Sequence, residues 1–313
     1  MICLTCEYYS GTAAIRQGRV HSKARSPLLL KGREEAMALS PQLWYDSFRR
    51  FPIRGGLGKK GQADETGESG CRDPDRGSGE MTYVMSDIHG RIRPYHRMLK
   101  KIGFCEDDTL YILGDVIDRN PSGISILKEI MDTPNIRLLL GNHEYMMRDF
   151  LDTDQQDDLD AWAQKMDRWC NRNGGWVTYH AFLRESQRAQ DRILAFLHRL
   201  PVNIEISVGG RRILLVHASP TFLYSESRPG MKDETEFAVW NRLAPGSGLD
   251  FPQDLMICGH TPTILLSGIF PMEILQDGKI IWIDCGCAYG TGRGGRLSCL
   301  RLETEERFYE SAG

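Results

Sequence analysis

From Met81 to Leu151 the apolar positions switch repeatedly between two spacings. Short β-branched or aromatic runs at Thr82–Ser86, Thr109–Leu113 and Ile136–Leu140 predict strands. Between and after them, apolar residues recur every three or four positions, which predicts helices over Ile92–Ile102, Ser122–Met131 and Glu144–Leu151. The order is therefore βαβαβα, the pattern of a parallel sheet with crossover helices. A helical stretch follows from about Leu159 to Leu200, broken at Gly174-Gly175 and opened by Asp152, Asp154, Asp157, Asp158 and Asp160. We read those acids as a solvated loop and a helix start, where the helix dipole favours negative charge. Apolar runs with Gly/Pro punctuation then predict strands at Val202–Ser207, Arg212–Val216, Leu255–Cys258, Ile280–Ile283 and Leu297–Glu303, and these are expected to form a second sheet.

The first 80 residues lack such a pattern. Leu28–Leu30 and Leu43–Phe51 could form short helices, but Arg54–Glu80 is rich in glycine and charge, and Leu57 is its one large aliphatic side chain. Such a stretch cannot offset its ordering entropy by burial. The expectation is a largely disordered extension over 1–80 and a catalytic domain over 81–313 with a helical insertion at about 152–200. The abrupt onset of pattern at Met81, after a Gly79-Glu80 pair that can be encoded with a ribosome-binding GGAG, suggests that the native protein begins at Met81.

Composition alters this picture little. No apolar run approaches the ~20 residues of a membrane helix, and the first residues lack a basic segment followed by an apolar one, so the expected location is the cytoplasm, without membrane association. Nine cysteines without a framework point to reduced thiols. Charge divides at Glu80. Residues 1–80 carry 13 Lys+Arg against 10 Asp+Glu, and the remaining 233 carry 26 against 32. The mildly acidic larger part has no basic stripe, which argues against a nucleic-acid polymer as partner.

The chemistry is concentrated where strands end. Ser86-Asp87-Ile88-His89-Gly90 ends the first strand, and an aspartate and a histidine two apart can bind one cation. Gly114-Asp115-Val116-Ile117-Asp118-Arg119-Asn120 ends the second; its first carboxylate can bridge two metals, and Arg119 is a planar, always-charged partner for phosphate oxygen. Gly141-Asn142-His143-Glu144 ends the third, with a neutral oxygen ligand in Asn142 and a plausible proton donor in His143. Singly, each cluster could be structural. Three at successive strand ends, 28 and 27 residues apart from Asp87 through Asp115 to Asn142, are hard to produce by chance.

These motifs resemble the GDxHG, GDxxDRG and GNHE signature of the phosphoprotein phosphatase group of calcineurin-like metallophosphoesterases. Val216-His217-Ala218 and Gly259-His260-Thr261-Pro262 stand where that group has two later histidines. The Gly-His-Thr-Pro sequence, Trp240-Asn241-Arg242 and Ile283-Asp284-Cys285-Gly286-Cys287 are similar to the bacterial and phage branch, which includes the lambda phage protein phosphatase and symmetrical diadenosine tetraphosphatase. Two departures are visible. Ser86 replaces the first glycine, and Asn120 replaces the glycine after Arg119, a mild change because asparagine tolerates the left-handed conformation.

The resemblance implies the metallo-dependent phosphatase fold, of α/β (α+β) class: a two-sheet β-sandwich flanked by helices. It implies two divalent metal ions, Mn2+ in the first instance and Fe2+ or Zn2+ as alternatives. One would be held by Asp87, His89 and bridging Asp115, the other by Asp115, Asn142, His217 and His260. Their shared water, acidified to hydroxide, would attack phosphorus in line. Arg119, Asn142 and Arg242 would bind the substrate phosphate, and His143, oriented by Asp118, would protonate the leaving oxygen. The implied activity is a serine/threonine-type phosphoprotein phosphatase. The alternative is a symmetrical bis(5'-nucleosyl)-tetraphosphatase acting on a phosphorylated small molecule. The complete ligand set argues against a non-catalytic phosphate-binding scaffold, and Thr261-Pro262 after His260, in place of a second histidine, against a nuclease. His96, His180 and His198 are expected on helix surfaces, and Trp162, Trp169 and Trp176 in packing. Tyr289 and the turn at 290–296 could border the substrate.

Overall fold

The computed structural model describes residues 80–154, 157–225 and 230–313, so the expectations for 1–79 fall outside the described residues. The first half is the expected alternation: β1 (Thr82–Met85), α1 (Ile92–Lys101), β2 (Thr109–Ile112), α2 (Gly123–Asp132), β3 (Ile136–Leu138) and α3 (Asn142–Leu151). The helical stretch resolves into α4 (Leu159–Met166), a π-helical turn (Asp167–Arg172), α5 (Trp176–Phe182) and α6 (Gln187–Arg199). The acid run does serve a helix start: the Asp158 side chain accepts from Ala161 N and caps α4. Next come β4 (Asn203–Val208), β5 (Arg211–Val216), α7 (Glu234–Trp240), β6 (Leu255–Cys258), α8 (Ile264–Ser267), β7 (Leu275–Asp277), β8 (Ile280–Trp282), β9 (Arg296–Arg301) and β10 (Arg307–Ser311).

Two five-stranded sheets result, ordered β10-β9-β1-β2-β3 and β4-β5-β6-β8-β7. Strands β1 to β3 are parallel, as are β5, β6 and β8. Alternation sorts side chains between the two faces of each strand. Val84, Tyr111 and Leu139 of the first sheet pack with Ile213, Leu215, Ile257 and Ile281 of the second, which makes the sandwich core. Their neighbours Tyr83, Met85, Leu110 and Ile112 point the other way, into the layer of α1 to α6 through Met98, Ile126, Met146 and Ile193. The outer face of the second sheet, with Leu214, Met256 and Trp282, is covered by Leu243 and Phe251.

One expectation is corrected. The segment predicted as Leu297–Glu303 does not join the second sheet. As β9 it pairs antiparallel with β1, with Val84 opposite Leu300, and β10 adds outside it. The residue pattern of a strand records which face is buried and not which neighbour it pairs with. Strands β7 and β10 are additions, and α3 begins two residues earlier than predicted. The six described cysteines are free, and none of the described helices is long and apolar enough to cross a membrane.

Candidate metal centre

Six parallel strands end at one place. β1 delivers Asp87 and His89, β2 Asp115, β3 Asn142 at the first residue of α3, β5 His217, β6 His260 and β8 Asp284. All are buried, at 6 % exposure or less. The chain must bend sharply to bring them together, and the backbone records it: Asp87, His89, Asp115, Asp118, Arg119 and His260 all adopt positive φ, between 48° and 69°. Non-glycine residues in that region are strained and persist only where the surroundings fix them. Here the surroundings do so. The Glu144 carboxylate accepts from the amides of Asp115 (2.8 Å), Val116 (2.8 Å) and Ile117 (3.3 Å), clamping the β2 turn, while burial and then Asp115 push its pKa to about 7.

Asn120, expected to take over a glycine's left-handed conformation, does not adopt positive φ. Its side-chain amide instead donates to His89 O at 2.8 Å and ties the first two turns together. Ser86 also acts differently from a glycine: its hydroxyl hydrogen-bonds the Asp87 carboxylate, which also accepts from His260 N at 3.0 Å. Gly259 has to be glycine, because a Cβ there would collide with both Ser86 Oγ and Asp87 Oδ2.

The donor set fits two cations. His217 Nδ1 donates to Leu113 O (2.6 Å) and His89 Nδ1 to Ile117 O (3.1 Å), which leaves each Nε2 with a lone pair facing inward, as in metal-ligating histidines. That of His217 lies 3.0 Å from Asn142 Oδ1, itself 2.9 Å from His260 Nδ1. Asp115, His217 and His260 offer ligand atoms that all lie within 4.8 Å of one another, close enough to share one cation. His217 Nε2 is 3.5 Å from Asp115 Oδ1, and His89 Nε2 is 3.7 Å from Asp115 Oδ2 and 4.0 Å from Asp87 Oδ1, so Asp115 stands between two ligand groups. Asp115 with His217 and His260 is one cluster dense enough for an ion, and His89 with Asp115 and His143 another.

The electrostatics agree. Burial and then Asp115 raise the Asp87 pKa, and burial and then Asp87 hold that of Asp284 well above the ordinary range, because buried carboxylates crowd together here. Burial, aided by Arg119 for His89 and by His217 for His260, keeps those imidazoles well below their usual pKa, in the neutral form a metal binds.

His143 is within reach of Asp115 Oδ2, at 3.8 Å, but is committed elsewhere. Its Nδ1 lies 2.6 Å from Asp118 Oδ2, and its Nε2 lies 3.2 Å from the Arg119 guanidinium, a neighbour that repels cations. Arg242 donates to His260 O (3.3 Å) and Thr261 Oγ1 (3.1 Å), so its charge is parked at the cleft wall. The cleft encloses about 100 Å³ and is lined by Asp87, His89, Asp115, Arg119, Asn142 and Arg242, and also by Trp240, the exposed Leu265 and Tyr289, and Asn173. Tyr289 therefore borders the cleft as expected, whereas no residue of the turn at 290–296 lines it. His96 and His198 pair with Glu129 (2.8 Å) and Asp152 (3.0 Å) on the surface, and His180 stacks on Trp176.

Sequence reasoning assigned no role to Asp284 or Glu144. Asp284 carried the signal that identified the others, an acid directly after an apolar strand. Trp169, whose indole reaches Asp118 at 2.8 Å, carried none.

A two-sheet sandwich with buried carboxylates and imidazoles at its strand ends and two arginines on the cleft wall defines a metal-dependent protein class. Residues 82–264 match the model of the calcineurin-like phosphoesterase family, and the chain belongs to that family. Its members depend on two metal ions. Over 178 residues, 54% of this chain and 57% of that one, it is 31% identical to a symmetrical bis(5'-nucleosyl)-tetraphosphatase of Acidovorax ebreus (strain TPSY). Over 162 residues, 51% of this chain and 67% of that one, it is 28% identical to serine/threonine-protein phosphatase 2 of Salmonella typhimurium. A solved protein serine/threonine phosphatase from Saccharomyces cerevisiae is 14% identical, covering 74% of this chain and 79% of that one with a TM-score of 0.49. The chain spans 57% of the length of the first curated relatives it matches.

Proposed function

We propose that this protein hydrolyses phosphate monoesters, with phosphorylated serine and threonine side chains of proteins as substrates, at a centre of two divalent ions, manganese in the first instance. The observation that supports this reading is the meeting of Asp87, His89, Asp115, Asn142, His217 and His260 with Arg119 and Arg242 over one small cleft. Asp87, His89 and Asp115 would hold one ion, and Asp115, Asn142, His217 and His260 the other. When bound, the ions supply an acidified water at neutral pH and draw negative charge off the phosphoryl oxygens.

Arg242, already fixed by Thr261 and the His260 carbonyl, holds one phosphoryl oxygen without reorganising. Arg119 rests against His143 Nε2 in this state, and a phosphate that draws the guanidinium toward itself frees that nitrogen to carry a proton. Burial alone would lower the His143 pKa, but Asp115 and Asp118 outweigh it and hold it above the ordinary histidine value, which suits a group that protonates the leaving oxygen. The cleft admits a phosphoryl group and little more, so the rest of the substrate lies across Trp240, Leu265 and Tyr289.

A second reading is cleavage of a dinucleoside tetraphosphate at the same centre, favoured by the 31% identity to a symmetrical bis(5'-nucleosyl)-tetraphosphatase. The two separate by kcat/KM for a phosphothreonine peptide and for diadenosine tetraphosphate on manganese-loaded protein. The peptide is expected to lead by about tenfold or more. The reverse order would establish the second reading, and no turnover of either or of p-nitrophenyl phosphate would refute hydrolysis.

A further inference from the structure

The carboxylate of Asp118 is held through one oxygen. Its Oδ2 accepts from His143 Nδ1 at 2.6 Å and from the indole Nε1 of Trp169 at 2.8 Å, whereas Oδ1 is buried with no hydrogen-bond partner. Trp169 lies 51 residues further along the chain, fully buried in the π-helical turn. An indole N–H can only donate. Oδ2 is therefore an acceptor toward Trp169, and as a carboxylate oxygen it also accepts from His143 Nδ1–H. The order reads Trp169 N–H to Oδ2, and His143 Nδ1–H to the same Oδ2. With Oδ1 free, only these two contacts decide how the carboxylate is turned.

The helical stretch that carries Trp169 grips the same turn elsewhere. Asp118 N donates to Thr178 Oγ1 at 2.9 Å, and Arg119 N to Gly174 O at 3.1 Å. Both residues are at positive φ, 69° and 65°, and need such support. Gly175 leaves room for the indole, since a Cβ there would stand 2.6 Å from Nε1. In the π turn the neighbouring Arg168 is aimed differently, toward Glu236 at 2.7 Å and over the Trp240 ring at 4.9 Å. One short turn thus contacts the Asp118 side and the Trp240 side of the cleft.

We propose that Trp169 is a positioning residue for leaving-group protonation: its indole N–H holds the Asp118 carboxylate in the orientation that orients His143. This rests on His143 being the proton donor, as read above. Trp169→Phe keeps an aromatic ring against Phe150 and Tyr179, centroids now 5.5 and 6.0 Å away, and deletes the N–H. It is assayed beside His143→Ala and the double variant, with phenyl phosphate as a poor leaving group and 2,4-dinitrophenyl phosphate as a good one.

The expected result for Trp169→Phe is a kcat lower by roughly 10- to 100-fold with phenyl phosphate, the scale of one hydrogen bond to a charged group. With the dinitrophenyl ester the loss should be small, with KM nearly unchanged in both cases. In the double variant it should add nothing to His143→Ala. Equal or absent losses for Trp169→Phe, while His143→Ala still discriminates between the esters, would overturn the proposal alone. Failure of His143→Ala to discriminate would overturn the donor reading and this proposal with it. Should Trp169→Phe not fold, the indole N–H proton of Trp169 in the native protein gives the answer by NMR. It should resonate downfield and shift on Asp118→Asn, and an unchanged resonance would contradict the contact.

Discussion

At the scale of single residues, the site depends on side chains that each do one thing because a neighbour prevents the alternative. His143 is close enough to Asp115 to bind a metal, but Asp118 takes one ring nitrogen and Arg119 stands at the other. His143→Ala should therefore reduce kcat by about 10²- to 10⁴-fold with alkyl or phenyl phosphates and far less with p-nitrophenyl phosphate, as steady-state rates across a leaving-group series will show. Glu144 is structural in the strict sense of satisfying three buried amides of the β2 turn. Glu144→Ala leaves them unpaired and should cost about 3 kcal/mol or more, measured by denaturant unfolding. The candidate ligands could be named from the sequence because each stands within four residues of the end of an apolar strand. Trp169 and Thr178 could not, because they reach Asp118 from 51 and 60 residues away on a helical stretch whose apolar spacing records only burial.

At the scale of elements, the parallel strands were readable from their continuous apolar runs, and their carboxyl ends located the chemistry. The C-terminal hairpin was not, since pairing of β9 with β1 is a long-range choice that no local pattern encodes. What holds the hairpin's outer strand to α1 includes an exposed ionic cluster: Glu310 of β10 lies 3.0 Å from Arg97 and 2.8 Å from Lys101. Partial burial would raise the Glu310 pKa, but hydrogen bonds from Lys101 and then Arg97 outweigh it and lower it. A carboxyl with a depressed folded-state pKa adds stability above its unfolded value and loses it as pH falls through the folded one. The protection factors of the β10 amides should therefore fall as pH drops through and below the usual glutamate range, and Glu310→Gln should remove that pH dependence. A dependence that persists in the variant would assign it to other groups.

At the scale of the whole molecule, two sheets, each with three parallel strands, aim their ends at one volume, and each ion is expected to draw ligands from both sheets or to share Asp115. Asp87, His89, Asp115 and Asn142 come from the first sheet, His217 and His260 from the second. Ions held there would fasten the two sheets together, and neither sheet alone carries the set. The central claim is the dinuclear site, and metal analysis of the purified protein alongside its phosphatase activity tests it most directly. Two divalent ions per chain are expected, removed together with p-nitrophenyl phosphate turnover by chelation, both restored by manganese, and reduced to one or none in Asp115→Asn. Full turnover with one ion or none per chain would contradict the account.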